Sequence, residues 1–270
     1  MSDILKRKFA PITEQAWKII DDEAGRVINR NLCGRKLVDF SGPYGWDFSA
    51  LSLGRLELAE EKEQFGIKWG IRQTLPVVEV RIPFVLEKME IDSVNRGCKD
   101  PDIGSLQHAA EQIARFEDKA IFYGFEGGQI KGLLDTAAQE PVQLPADPEK
   151  YPKAIATALK QITMIGITGP FSLALGPDEY FSLWQIDGKG YPPRKSIEEM
   201  LGGEIMLSPA IVGGLLLSVR GGDFELAVGQ DFSIGYNSQD KDSVELFITE
   251  SFTFRTIEAA AAVPLSRKQS

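Results

Sequence analysis

Residues 55–92, RLELAEEKEQFGIKWGIRQTLPVVEVRIPFVLEKMEID, limit the possible folds more than any other stretch of this chain. Two strand-like runs flank a charged tip containing Gly66. In the second run Val78, Val80, Ile82, Phe84 and Leu86 point one way while Glu79, Arg81 and Glu87 point the other. The pattern predicts a long two-stranded hairpin. Such a ribbon is marginal alone in water because no third layer covers its apolar face, so it must lie on another surface. Pro76, Pro83 and the alternating charges limit uncontrolled edge pairing, which leaves a specific partner surface as the cover and points to assembly.

Charge narrows the partners. The 270 residues carry a formal net charge of -9, and a polyanion such as nucleic acid or an anionic membrane is repelled at long range. No apolar run approaches the roughly 18 to 20 residues of a membrane span. The opening MSDILKRKFAPITEQAW lacks the apolar core of a secretory signal, so the cytoplasm is the expected location. Cys33 and Cys98 have neither CxxC nor Cys/His spacing, which predicts free thiols and no metal site. The single histidine, His108, sits in the helical stretch LQHAAEQIARFEDKAIF with no Ser or Cys motif to pair with, and reads as a partly exposed helix residue. Glu117 and Asp118, adjacent on that helix, point about 100° apart and read as solvated surface acids unable to share a substrate. Nothing here predicts an enzyme or a cofactor.

Along the chain, Thr13 caps a helix over EQAWKIIDDEAGRVINRNL that stops at Gly34. Trp17, Ile20, Ala24 and Val27 form one stripe, and Ile28 and Leu32 widen it; the pattern fits equally a core role or a second surface for those two. An irregular arm follows, punctuated by Gly42-Pro43 and Gly45. A second long helix covers 103–124, and the Pro-rich AAQEPVQLPADPEKYP marks a boundary. Residues 151–220 alternate helices and strands as a compact α/β unit. Its Gly188-Lys189-Gly190 loop lacks the frame of a nucleotide-binding turn. The last segment reads as an antiparallel meander: Phe224, Leu226 and Val228, then Phe232, Ile234 and Tyr236, then Val244, Leu246, Ile248, Phe252 and Phe254, interrupted by Glu250.

Taken in order, LKRKFAPITEQAW, GRKLVDFSGPYGW, EIDSVNRG, FEDKAIFYG, GITGPFSLALGP, GYPPRKSIEEML, RGGDFELAVGQDFSIGY and LFITESFTFR resemble the encapsulin shell proteins over nearly the whole chain. The resemblance implies an α+β chain with the tailed-phage major-capsid fold of the Hong Kong 97 type. It implies a peripheral domain from 1–47, 84–140 and 222–270, an extended loop over 48–83 and an apical domain over 141–221. It also implies self-assembly of sixty subunits, or a multiple of sixty, into a closed icosahedral nanocompartment. Head-to-tail contacts whose rotation closes are what such a shell requires.

The same resemblance implies that cargo enzymes, ferritin-like iron-storage proteins or dye-decolourising peroxidases, dock a short terminal peptide on the inner face. By position the docking surface comprises Ile28, Leu32, Arg35, Asp39, Asp231, Ile234 and Tyr236. The apolar members would hold the peptide's side chains and the charged ones would set its register. Arg35 and Asp39, four apart, can equally form a local ion pair. Gln185, Ile186, Asp187, Gly188, Lys189, Gly190 and Tyr191 match the segment lining a five-fold pore, where Asp187 and Lys189 would set the local charge. Some relatives bind a flavin beside an aromatic ring, but Met89 stands at that position here and no flavin is predicted. A phage major capsid protein packaging DNA is the alternative with the same fold; any catalysis in an encapsulin particle belongs to its cargo.

Overall fold

The computed structural model describes residues 4–58, 67–185 and 192–267. The chain enters through the helix α1 (Glu14–Asn31), whose N-cap Thr13 accepts a hydrogen bond from the Ala16 amide at 3.3 Å. The helix ends three residues before Gly34, which instead opens a 3-10 turn over Gly34–Lys36. There follow β1 (Asp39–Ser41), β2 (Ala50–Leu58), β3 (Gly70–Pro76), β4 (Val78–Glu87), α2 (Lys88–Asn95) and α3 (Gly104–Tyr123). The middle of the chain supplies α4 (Leu133–Thr136), β5 (Val142–Leu144), α5 (Tyr151–Met164), β6 (Phe171–Leu175), α6 (Pro177–Ser182), α7 (Pro193–Leu201), β7 (Gly202–Leu207) and β8 (Gly214–Ser218). It closes with β9 (Phe224–Val228), β10 (Ser233–Gln239), β11 (Ser243–Thr256) and β12 (Ala262–Arg267).

Strand β11 organises the first sheet. One of its edges carries β4 in antiparallel register from Ser243↔Glu87 to Phe252↔Val78. Its other edge is shared, β10 pairing with its first half and β9 with its second. The expected meander is therefore absent, because β9 and β10 both address β11 rather than each other. Strand β1 completes this sheet in parallel with β9. The second sheet runs β5-β12-β8-β6-β7, so residues 262–267 join the α/β unit rather than the body grouped with them by sequence.

The alternation at residues 78–86 is a true strand, but its partner is not the hairpin. Phe84 and Leu86 are buried with α1, α2 and α3 in one apolar cluster, so this half of the expected ribbon is covered by its own chain. What remains is the shorter pair β2–β3, in register from Ala50↔Pro76 to Leu58↔Gly70 with a bulge between Ser52 and Leu56. Gly54, with φ of +68°, sits in that bulge, where a left-handed turn favours glycine. Leu56, Leu58, Trp69 and Ile71 on this ribbon are each more than half exposed. Residues 59–66, the expected tip, lie outside the described residues.

Two apolar clusters hold the rest. The stripe of α1 packs with Leu106, Ala110 and Ile113 of α3, while the second cluster joins α5 and the β5–β12 sheet to β9 and the far half of β11. No helix among the described residues is long and apolar enough to cross a membrane.

Candidate functional site

The last two turns of α1 and the start of β10 border a groove of about 380 Å³. Ile28 and Leu32 come from one side, Phe232 and Ile234 from the other, and Ile248 of β11 lies between them. Helical spacing aims Ile28 and Leu32 the same way, and strand alternation aims Phe232 and Ile234 toward them. The N-terminal segment forms a third wall through Leu5, whose carbonyl accepts from the Tyr236 amide at 2.8 Å. Arg7 closes one end, gripping Asp21 through two hydrogen bonds of 3.1 and 2.7 Å and lying 3.9 Å above the Trp17 ring centroid.

Arg35 sits at the polar end, and its guanidinium reaches inward. Nε donates to Glu117 Oε1 at 2.9 Å, Nη2 donates to Glu117 Oε2 and, at 2.6 Å, to Glu250 Oε1, and Nη1 donates to Asp231 Oδ1 at 3.0 Å. The rings of Phe232 and Phe40 lie 4.8 and 5.2 Å from its central carbon. Burial works against the Arg35 charge, but the carboxylates, Glu117 foremost, hold its pKa above the ordinary arginine value. Burial drives Glu250 well above the ordinary glutamate range, and the neighbouring Glu117 charge adds to the effect. Burial also pushes Asp118 up to about 7, against the two backbone amides of Cys33 and Gly34 that it accepts.

Five of the seven expected docking residues, Ile28, Leu32, Arg35, Asp231 and Ile234, line the groove. Tyr236 is half-buried further along β10 and touches the N-terminal segment through its backbone. Asp39 lies outside the groove; its Oδ2 accepts from the Gly222 amide at 2.6 Å. The local Arg35–Asp39 pair therefore does not form, because three other carboxylates take the guanidinium.

Glu117 and Asp118 are corrected most. Both are fully buried, not solvated: Glu117 anchors Arg35, while Asp118 anchors the turn after α1. Periodicity carried the signal, since Glu117 and Asp118 follow Ile113 and Ala114 by one helical step each. Glu250 was visible in the same way, occupying the inward register between Ile248 and Phe252, where a carboxyl group demands a partner.

His108 is exposed on α3, beside Gln112. Gln185 is exposed after α6, whereas the remaining proposed pore residues, 186–191, lie outside the described residues. Met89, the residue at the position where some relatives place an aromatic ring, is exposed on α2.

Residues 1–253 match the family model described as encapsulating protein for peroxidase. A type 1 encapsulin shell protein of Rhodococcus erythropolis is 42% identical over 262 residues, spanning 97% of this chain and 99% of the relative. Among solved structures, the virus-like particle from Pyrococcus furiosus superposes with a TM-score of 0.68 at 17% identity, covering 93% of this chain and 99% of that one. The corresponding protein of Mycobacterium phage Bobi gives 0.59 at 16% identity over 90% and 91%. The last two establish the tailed-phage capsid fold, and the full-length identity to the first, with the family match, makes this chain a member of the type 1 encapsulin shell proteins.

Proposed function

We propose that the chain builds a closed icosahedral compartment of sixty subunits, or a multiple of sixty, and that the α1–β10 groove holds the terminal peptide of an enclosed enzyme. The ribbon carries this reading: Leu56, Leu58 and Ile71 on its strands, and Trp69 just before the second, stand more than half exposed, and among the described residues no third strand joins the pair. A neighbouring copy covers them in a shell. The particle lies in the cytoplasm, and its chemistry belongs to the cargo, for which a peroxidase is the class named in the family description.

Negative-stain electron microscopy of the purified chain, expressed alone, tests the reading. Uniform hollow particles with a protein-like absorbance ratio are expected. A monodisperse monomer across several salt and pH conditions overturns assembly, and particles filled with nucleic acid overturn the compartment in favour of a genome capsid.

A further inference from the structure

The β2–β3 ribbon presents apolar side chains on both of its faces. In an antiparallel pair, residues directly opposite share a face and successive residues alternate between faces. The pairs Leu56↔Arg72 and Leu58↔Gly70 therefore put Leu56, Leu58 and Arg72 on one side, and Glu57↔Ile71 puts Glu57 and Ile71 on the other. Gln73, two residues beyond Ile71, agrees with that second set, because its Nε2 donates to Glu57 Oε2 at 3.4 Å. Trp69, two residues before Ile71, continues the same side by alternation. The four apolar residues, two to a side, are each more than half exposed.

A seat on a neighbour's body covers one face of such a ribbon and leaves the other in water. The two faces complement each other in charge. Arg72, with no ion-pair partner among the described residues, accompanies Leu56 and Leu58, whereas Glu57 accompanies Trp69 and Ile71. Building on the closed assembly proposed above, we propose that ribbons of neighbouring copies stack face to face, the Leu56–Leu58–Arg72 side of one on the Trp69–Ile71–Glu57 side of the next. The leucines then meet Trp69 and Ile71, and Arg72 meets Glu57, with the two layers about 10 Å apart. This contact is heterologous, so one kind of contact, repeated, covers both faces of every ribbon and closes where its rotation closes. Within one copy Arg72 and Glu57 lie on opposite faces and do not pair, so their ion pair forms only between copies.

The test is a charge exchange in the full chain, followed by size-exclusion chromatography and negative-stain electron microscopy. Arg72→Glu and Glu57→Arg each set like charges face to face at every contact, and each should cut particle yield about tenfold or more. Part of that yield should return as salt rises. The double variant reverses the pair and should restore the yield to within about twofold of the unaltered chain. Far-ultraviolet circular dichroism and subunit unfolding should be the same in all forms, because the exchanged residues lie outside both apolar clusters. Leu58→Ser and Ile71→Ser, on opposite faces, should each lower the yield severalfold.

Absence of particles from the unaltered chain overturns the shell reading and this inference together. Particles from that chain with undiminished yield in both charge variants overturn the stacking and leave the shell intact. Folded single variants whose loss the double variant does not restore place Arg72 and Glu57 against the neighbour's body and overturn ribbon-on-ribbon contact. An unchanged yield in either Leu58→Ser or Ile71→Ser overturns the two-sided cover.

Discussion

Arg35 joins two buried glutamates to an aspartate at the groove, and the consequences of altering it follow from burial. Arg35→Met strands Glu117 and Glu250, both without solvent access, and should cost about 3 to 5 kcal/mol, read as a lowered midpoint in denaturant unfolding of the subunit. Glu250→Gln should cost far less, because the amide replaces a carboxyl group that already favours its neutral form. The pH dependence has an unusual direction. Asp118 is raised from 3.8 to about 7 in the fold, so it binds its proton more tightly folded than unfolded. Its contribution is whole below the unfolded value and is lost as pH climbs through about 7. Glu250 acts with the same sign. The thermal midpoint should therefore decline from about pH 5 to about pH 8, with a shallower slope in Asp118→Asn; a midpoint rising over that range contradicts the assignment.

At the scale of elements, α1 and β10 meet through few but well-buried contacts. Ile28 and Ile234 are 6% and 5% exposed, so each serves the core and the groove at once. Truncating either to alanine should destabilise the subunit by about 2 to 5 kcal/mol in chemical denaturation and also weaken retention of a docked tail. Gly235, next to Ile234 in β10 and paired with Phe247 of β11, has a different role: a methyl group built there would lie 2.2 Å from Phe247 Cζ. Gly235→Ala should force the ring aside at a cost of about 1 to 3 kcal/mol, and the size of its near-ultraviolet circular dichroism change reports that displacement. The edge of β10 beyond Ile234 is occupied by the N-terminal segment through the Tyr236–Leu5 hydrogen bond, which explains why Tyr236 supports a wall rather than the floor.

For the molecule as a whole, the ribbon is separable from the body. Ala50 and Pro76 are paired, and the Val77 amide donates to the Ser49 carbonyl at 3.0 Å, so the two ends already meet. Replacing residues 50–76 with a short turn should preserve far-ultraviolet circular dichroism and cooperative unfolding while abolishing particles in size-exclusion chromatography. Loss of folding instead would show the ribbon to be part of the core. By itself the sequence determined the helices α1 and α3, the α/β unit, the inward faces of β9, β10 and β11 and the need for an external partner, because each rests on local periodicity or on an excess of uncovered apolar surface. Only the tertiary structure decided that residues 78–87 pair with β11 and that β12 crosses to the second sheet, since a strand's alternation names its faces but not its neighbour. It alone also decided the partners of Arg35: its carboxylates stand 82, 196 and 215 residues away in sequence, and a buried charge is satisfied by whatever the fold brings within reach.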